Sequence, residues 1–158
     1  MAAWWKDEGQ HRYPEANEIC ILADSGGSNG CRPRAWKYFL QHKLANEFQL
    51  AVTVAHYPTG TSKWNPIEHR LFSEVSKNWA GVPLETVEVI LNYLSSTTTQ
   101  TGPTVTASLM DSTYERGLKI SKHEMDQLNI KPHDSVPQWN YTIRPLPANQ
   151  QTAPKRGG

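Results

Sequence analysis

The stretch ICILADSGGSNG, residues 19–30, joins a short apolar run to a single acid and then to a loop of small residues. The apolar run at 19–23 has the length of a β-strand, and its lack of polar residues predicts a strand buried on both faces. Asp24 therefore follows the carboxyl end of a strand, where open α/β sheets gather their ligand-binding and catalytic groups. The structural alternative is an Asx-type turn, in which the Asp24 side chain accepts hydrogen bonds from N–H groups of the loop.

The small residues of the loop, SGGSNG at 25–30, do not match a phosphate-binding motif. They lack the Lys-Ser/Thr pair of a P-loop, and their spacing differs from that of the dinucleotide-binding fingerprint. We therefore interpret this segment as a flexible turn.

A second strand follows after one helix, which indicates an α/β fold. In residues 32–48 apolar side chains recur every four residues, which predicts an amphipathic helix with Pro33 near its start. The alternating, β-branched segment at 50–57 predicts the second strand. A strand–helix–strand connection of this kind is right-handed and makes its two strands parallel.

The rest of the chain is predicted to be mostly helical. Asn65 as N-cap and Pro66 at the first helical position open a helix that extends to about Trp79. The remaining predictions are a helix at 84–94, a short helix at 121–129, a strand or extended arm at 138–143 and a solvated, disordered tail at 146–158.

The composition is that of a single domain without a strong charge. The chain has 158 residues and a net charge of +1, so a nucleic-acid partner requires a local basic patch. Its two cysteines, Cys20 and Cys31, provide no disulfide framework and lack the close-paired spacing of zinc ligands. No stretch approaches the ~18 apolar residues of a membrane span and no signal peptide is visible, so we expect a cytoplasmic protein without a membrane partner.

Glu68 is a second acid with both a chemical and a structural interpretation. It stands at the third position of the helix that Asn65 opens, so NPIE satisfies the spacing of a capping box. It also lies in line with the apolar side chains of that helix, which are Phe72, Val75 and Trp79. This alignment predicts a carboxylate turned toward the sheet, and such a carboxylate usually has a charged partner. Two such acids near the carboxyl ends of adjacent strands would share divalent cations, and Mg²⁺ prefers carboxylate oxygens.

The residues around this helix start predict contacts with a nucleic acid. Lys63 and Trp64 form a small basic-aromatic loop of the kind that binds phosphate and stacks on bases. Packing of Trp64 as a staple beside the N-cap explains the aromatic residue equally well. His69 and Arg70 are further candidate DNA-binding residues, and simple solvent exposure is the alternative for His69. His56 shows no spacing typical of metal ligands.

In chain order, ILADSGGSNG, HYPTGTSKWNPIEHRLFSEVSKNWAG, TTTQTG and WNYTI resemble the Rhodopirellula-type DDE transposases of bacterial insertion sequences, which look like relatives of the mariner-like transposases. The resemblance covers about residues 3–145, and GTSKWNPIEHRLFS at 60–73 is its most specific segment. Ser25 stands where a smaller residue, often glycine, is expected.

This resemblance implies an RNase H-like fold in which three acids hold two Mg²⁺ ions. The ions activate water, and later a DNA 3′-hydroxyl, for in-line attack on a phosphodiester. Asp24 then corresponds to the second catalytic and metal-binding acid, on the fourth strand of the fold, and Glu68 to the third. The implied activity is DNA transposition by strand cleavage and strand transfer, and the implied partners are transposon ends and target DNA.

The resemblance also implies a partial RNase H-like fold, namely the last two strands of the mixed sheet with their flanking helices, followed by a mostly helical C-terminal extension. We expect the catalytic-domain half at 1–82, the extension at 83–145 and the tail at 146–158. The family's first acid, its strand and the two neighbouring strands have no counterpart here. The chain then begins in the helix between the third and fourth strands, which leaves Trp4 and Trp5 without a preceding turn to pack against.

Two functions are therefore open. One is a DDE transposase fragment that acts with its missing N-terminal half or with a full-length transposase. The alternative is a catalytically inactive remnant that at most binds DNA or a full-length transposase. An ordinary RNase H-like nuclease fits the acids but not the loop TSKWNPIEH at 61–69.

Overall fold

The computed structural model describes residues 1–61, 64–97, 105–109 and 118–151. The chain divides into two compact units, one of Met1–Thr59 with Tyr114–Gly158 and the other of Gly60–Thr113. The described strands are β1 Glu18–Asp24, β2 Ala51–Tyr57, β3 Ile130–Pro132 and β4 Asn140–Ile143. The described α-helices are α1 Ala2–Trp4, α2 Gln10–Arg12, α3 Arg34–Leu40, α4 Pro66–Asn78, α5 Val87–Ser95 and α6 Lys122–Asp126. Within this part of the chain, no helix is long and apolar enough to cross a membrane.

The first unit is built on a mixed sheet whose described strands have the order β1-β2-β4-β3. β1 and β2 pair in parallel, and the register places Asp24 beside Tyr57 where both strands end. The predicted strand–helix–strand unit with a parallel pair is therefore confirmed. β4 pairs antiparallel with both β2 and β3. The segment at 138–143 thus contributes a strand, and part of the predicted helical extension belongs to the sheet.

One face of the sheet packs against α3 and its continuation. Residues in register on neighbouring strands lie on the same face, so their apolar side chains form one layer. The buried residues of this core are Ile21, Ala23, Val52, Val54, Tyr141 and Ile143 from the sheet and Leu40, Leu44 and Ala45 from the helical layer. At about 1.5–3 kcal/mol for each large aliphatic side chain, their burial is the main stabilising contribution in this unit.

The other face of β1 is exposed, and this corrects the prediction of a strand buried on both faces. Leu22 is 45% exposed and Cys20 and Asp24 are also exposed, whereas Ile21 and Ala23 between them are buried. The prediction failed because the apolar character of a strand does not show whether other elements pack on one face of it or on both. In the described sheet, β1 is also an edge strand.

Trp5 belongs to the core, although the sequence predicted no preceding turn for it to pack against. It is 5% exposed and lies in the same apolar cluster as Ile21 and Leu44. Trp4 stays mostly exposed and makes an edge-to-face contact with Trp5, with ring centroids 6.0 Å apart. A Cβ at Gly9 would lie 2.6 Å from the Trp5 ring, so the turn over the indole requires glycine. The indole is thus packed by its own helical turn and by the sheet.

The helix predicted at 32–48 is confirmed, with a change of winding along its length. Pro33 is the N-cap of α3, and a π-helical segment at Gln41–Asn46 continues it. A second π-helical segment, Trp5–Gly9, connects α1 to α2. Because π-helical segments are rare, sequence periodicity does not anticipate them.

Two buried amides of the π-helical segment hold the chain that follows β4. Gln41 Nε2 donates to Asn46 Oδ1 and to the carbonyl oxygen of Arg144, both at 2.8 Å. The N–H of Leu146 donates to Asn46 Oδ1 at 3.0 Å, and Leu146 is buried. Leu146 is therefore held in place where a solvated tail was predicted to begin, residues 147–151 are exposed, and the rest of that predicted tail lies outside the described residues.

In the second unit, α4 and α5 meet through the C-terminal half of α4. Val75 is 2% exposed, and Asn78 Nδ2 donates to the carbonyl oxygen of Tyr93 at 2.6 Å and to Thr97 Oγ1 at 3.2 Å. Thr97 is buried as well. The first turns of α4, which carry Glu68, are exposed.

The helix predicted at 84–94 begins later than its apolar pattern suggests. Thr86 is the N-cap of α5, and its hydroxyl accepts the N–H of Val89 at 3.2 Å. A capping hydroxyl satisfies one of the free N–H groups of the first turn and so fixes where the helix starts. Leu84 precedes the helix and is exposed, so it is not part of an apolar helical stripe.

Candidate active site

Asp24 is exposed at the end of β1, where β1 and β2 both finish. Its Oδ1 accepts the N–H of Gly26 at 3.3 Å, so the Asx-type contact predicted as the structural alternative is present. This hydrogen bond is long and involves one carboxylate oxygen. The carboxylate therefore keeps capacity for a cation or for another donor.

The loop after Asp24 folds back on Ser25. Gly27 has a φ of +72°, which favours glycine, and a Cβ at Gly30 would lie 2.5 Å from the carbonyl oxygen of Ser25. The N–H of Cys31 donates to that same oxygen at 3.3 Å. The glycines thus permit a compact return of the chain, in agreement with the interpretation as a turn.

Ser25 also connects the loop to the end of β2. Its N–H donates to the carbonyl oxygen of Tyr57 at 3.0 Å, and its hydroxyl lies 3.0 Å from the hydroxyl of Thr59. A glycine at position 25 would lack this second contact. Ser25 is therefore compatible with the turn and adds a side-chain tie between the two strand ends.

His56 contacts the backbone of Asp24, and the sequence analysis did not predict this contact. Its Nδ1 is 3.1 Å from the carbonyl oxygen of Asp24, and its Nε2 is 3.4 Å from the hydroxyl of Tyr141. Burial lowers the pKa of His56, and the positive charge of Lys37 adds to this shift, while the hydrogen bond to the Asp24 backbone and the negative charge of the Asp24 carboxylate oppose it. Burial therefore favours the neutral form of the ring. The alternation of LAVTVAHY at 50–57 could have indicated that His56 is buried, because it places His56 on the same face of β2 as Val54.

Tyr141 and Lys37 complete the surroundings of the histidine. Burial raises the pKa of Tyr141 to about 12, against the effect of a hydrogen bond from Trp36, and the nearby Cys31 adds to the increase. The ammonium of Lys37 lies 5.1 Å from the centroid of the Tyr141 ring, a cation–π distance. Burial lowers the pKa of Lys37, and Cys31 opposes that shift. The Tyr141 hydroxyl consequently keeps its proton at neutral pH.

Glu68 occupies the third position of α4, and one of the two contacts of the predicted capping box is present, while the Glu68 carboxylate accepts from the side-chain amide of Asn65 rather than from its backbone N–H. Its N–H donates to Asn65 Oδ1 at 3.4 Å, and Asn65 Nδ2 donates to Glu68 Oε2 at 3.3 Å. Pro66 stands at the first helical position, as predicted. The helix predicted from Asn65 to about Trp79 is therefore confirmed.

The prediction that Glu68 turns inward is wrong in this structure. Glu68 is exposed and Phe72 is 54% exposed, whereas Val75 is buried and Trp79 is half-buried. The reason is that α4 packs against α5 through its C-terminal half, so the turn that carries Glu68 is uncovered.

The predicted DNA-binding residues surround the start of α4. Trp64 is 64% exposed, so it does not pack as a staple beside the N-cap. His69 and Arg70 are exposed as well. Lys63 lies outside the described residues. An exposed indole next to exposed basic side chains suits contacts with bases and phosphates, and the DNA-binding role of these residues stays a prediction.

The two acids have the chemistry of magnesium ligands. Carboxylate oxygens are hard ligands of the kind that Mg²⁺ prefers. Each acid has one carboxylate oxygen that accepts no hydrogen bond from a described residue. Asp24 and Glu68 belong to different compact units, and each is described within its own. Among the described residues, no group of three or more His, Cys, Asp or Glu could hold a metal ion. Each acid by itself therefore offers oxygen ligands of the type that Mg²⁺ accepts, and its role as a metal ligand stays a prediction.

Comparison with known proteins identifies the family. A family model described as the Rhodopirellula transposase DDE domain matches residues 1–145, nearly the whole chain. The chain belongs to this family. No curated protein and no solved structure matches it. The family inferred from the sequence is thus confirmed, and membership indicates a transposase DDE domain with DNA as its partner.

Proposed function

We propose that this transposase DDE domain takes part in Mg²⁺-dependent DNA strand cleavage and strand transfer, with Asp24 and Glu68 as two metal-binding carboxylates. The observation that carries the proposal is the family match over residues 1–145. The exposed carboxylate of Asp24 at the carboxyl ends of a parallel strand pair supports it. When bound, the ions would supply an activated nucleophile and stabilise the entering and leaving oxygens of the phosphodiester.

The side chains around the start of α4 would contact the DNA backbone and bases. Trp64 has an exposed indole for stacking, and Arg70 and His69 are exposed donors for phosphate oxygens. Lys63 would add a further phosphate contact. These contacts would position the strand beside Glu68, because all four residues lie within five positions of it in the sequence.

The remaining acid of the family, its first, would come from a segment that pairs with β1. The free edge of β1 in the described sheet supports this proposal. Residues 19–23 at this edge are apolar and include no Pro or Lys. An N-terminal half of the transposase, or a full-length transposase, is the partner that this edge suits. The first strand of an RNase H-like fold, which carries the first acid, neighbours the fourth.

A catalytically inactive remnant is the second candidate. The observation in its favour is that the described residues contain no group of three potential metal ligands. Such a remnant would at most bind DNA or a full-length transposase. The two candidates differ in whether the complete gene yields a protein that cleaves DNA.

The test is cleavage of a transposon-end duplex by the transposase expressed from its complete gene, with Mg²⁺ present. Asp24→Asn and Glu68→Gln are each expected to abolish cleavage while leaving folding intact, because the amides are nearly isosteric but are poor metal ligands. Glu74→Gln on α4 is the matched control and should cleave like the wild type. Near-normal cleavage by Glu68→Gln would show that Glu68 only caps the helix. No cleavage by the wild type would favour the inactive remnant.

The chain of 158 residues alone should bind Mg²⁺ poorly and cleave nothing. Two carboxylates are too few protein ligands to hold Mg²⁺ against water, since this ion loses its hydration shell reluctantly. Calorimetric titration with Mg²⁺ and a nicking assay on the purified chain measure both properties. Robust metal-dependent nicking would contradict the proposal that another segment supplies the family's first acid.

A further inference from the structure

A series of hydrogen bonds from the half-buried Trp36 through the buried Tyr141 and His56 ends on the backbone of Asp24. Trp36 Nε1 donates to the Tyr141 hydroxyl at 3.1 Å, and this hydroxyl lies 3.4 Å from His56 Nε2. The other ring nitrogen of His56 lies 3.1 Å from the carbonyl oxygen of Asp24. His56 is 6% exposed and Tyr141 is 2% exposed, so water competes little for these contacts.

The chemistry of the groups fixes the direction of these hydrogen bonds. The carbonyl oxygen of Asp24 can only accept, so His56 Nδ1 carries the proton and Nε2 of the neutral ring is an acceptor. The Tyr141 hydroxyl then donates to Nε2, while the indole of Trp36, which can only donate, donates to the Tyr141 oxygen. The Tyr141 hydroxyl and the His56 ring thus each accept one hydrogen bond and donate one, and no donor in this series is left unpaired.

The position of the Asp24 carboxylate depends mainly on its backbone. Within the described structure the carboxylate accepts one long hydrogen bond, from the N–H of Gly26 at 3.3 Å. The backbone, in contrast, is held on one side by His56 and on the other by Ser25, whose N–H donates to Tyr57 at 3.0 Å. A loss of the His56 contact would therefore loosen the acid without removing any of its own side-chain bonds.

We propose that Trp36, Tyr141 and His56 are positioning residues that fix the backbone of Asp24 and thereby the direction of its carboxylate. The inference rests on the proposed function, because it concerns an acid to which that function assigns a metal. The three residues come from α3, β4 and β2, so they connect the acid to the packing of three elements. Mutation of residues that orient metal ligands typically costs about 10–100-fold in metal affinity or activity.

The hydrogen-bond chain itself is tested by NMR of the protein with ¹⁵N-labelled histidine. The protein has six histidines, and the signal lost in His56→Gln identifies His56. At pH 8 the neutral ring is expected to carry its proton on Nδ1, with Nε2 as the acceptor. A ring that carries its proton on Nε2 would overturn the proposed direction, and this result does not depend on metal or on cleavage.

The positioning role is tested with Tyr141→Phe in the transposase expressed from its complete gene. This variant removes one hydroxyl and is expected to cleave the transposon-end duplex about 10–100-fold more slowly and to need more Mg²⁺ for half-maximal rate. Tyr13→Phe, which removes an exposed hydroxyl, is the matched control and should match the wild type. A folded Tyr141→Phe protein with wild-type rate and Mg²⁺ dependence would overturn the proposal.

Two substitutions of His56 separate positioning from packing. Glutamine retains one donor and one acceptor, so His56→Gln should keep more of the rate than His56→Leu, with both proteins checked for folding by circular dichroism. Equal rates for the two folded variants would overturn the positioning role. Normal cleavage by Asp24→Asn would instead overturn the proposed function, so the two failures are distinguishable.

Discussion

At the scale of single residues, buried amides hold the end of the chain to the helical layer of the first unit. Gln41 is 0% exposed, donates to Asn46 and Arg144, and accepts the N–H of Asn129 at 2.8 Å through its Oε1. The apolar pattern of residues 32–48 does not include Gln41 because its side chain is polar, so nothing in that pattern indicated that it is buried. The fold therefore depends on polar residues that sequence periodicity treats as surface.

Gln41→Leu should lower the free energy of unfolding by about 2–3 kcal/mol. The leucine fills similar space but leaves the carbonyl of Arg144 and the N–H of Asn129 without their partner. Urea denaturation followed by circular dichroism measures the change. Gln10→Leu, which removes a surface contact to the carbonyl oxygen of Lys6, is the control and should change stability by less than about 0.5 kcal/mol. Equal effects of the two substitutions would contradict this account.

In the candidate site, the sequence predicted contacts between residues close in sequence but not those between residues far apart. Local motifs predicted Asp24 at a strand end and Glu68 at a helix start, and the turn and cap contacts of both acids are present. His56 and Tyr141 were not predicted as neighbours of Asp24, because they are 85 positions apart and meet only through the sheet. Roles as metal ligands stay predictions for both acids.

At the scale of elements, the sequence predicted those that local patterns determine. β1, β2, α3 and the start of α4 follow from apolar runs, alternation, helical spacing and an N-cap with proline. β3 was missed because its three residues have no pattern of their own and are a strand only by pairing with β4. The exposure of Glu68 was not predicted because the sequence of α4 does not show which part of the helix packs against another element.

Asn65→Ala should destabilise the first turn of α4 by about 1 kcal/mol, since the side chain caps a free N–H. Asn65→Ser should retain the cap, because a hydroxyl accepts the same hydrogen bond and, unlike a carboxylate, does not repel the Glu68 side chain that Asn65 contacts. Amide hydrogen exchange over residues 68–72 measures the effect. Equally fast exchange in the two variants would show that the cap does not stabilise this helix.

At the scale of the whole molecule, the edge of the sheet is the feature with the largest consequence. In the described sheet β1 pairs only with β2, and its apolar run lacks the Pro or Lys residues that protect edges in many proteins. Exposed edges of this kind pair with other strands. The boundaries predicted at residues 82 and 145 stay predictions, whereas two late strands, β3 and β4, are part of the same sheet.

The isolated chain should therefore self-associate through β1, and co-expression with an N-terminal fragment of the transposase should increase its solubility. Leu22→Lys, which places a charge beside this edge, should lower the apparent mass in size-exclusion chromatography with light scattering. Val87→Lys adds the same charge at an exposed apolar residue of α5 and should leave the mass unchanged. A strictly monomeric wild-type chain with a sharp thermal transition would contradict the prediction.

The metal preference of cysteine variants tests most directly whether Asp24 and Glu68 are metal ligands. Asp24→Cys and Glu68→Cys, made in the transposase expressed from its complete gene, replace a hard oxygen ligand by a soft thiolate. Each variant should be inactive with Mg²⁺ and regain part of its cleavage with Mn²⁺, which accepts sulfur ligands more readily, while Glu74→Cys should cleave with either metal. Cleavage by the two variants that is normal with Mg²⁺, or equally absent with both metals, would contradict the assignment.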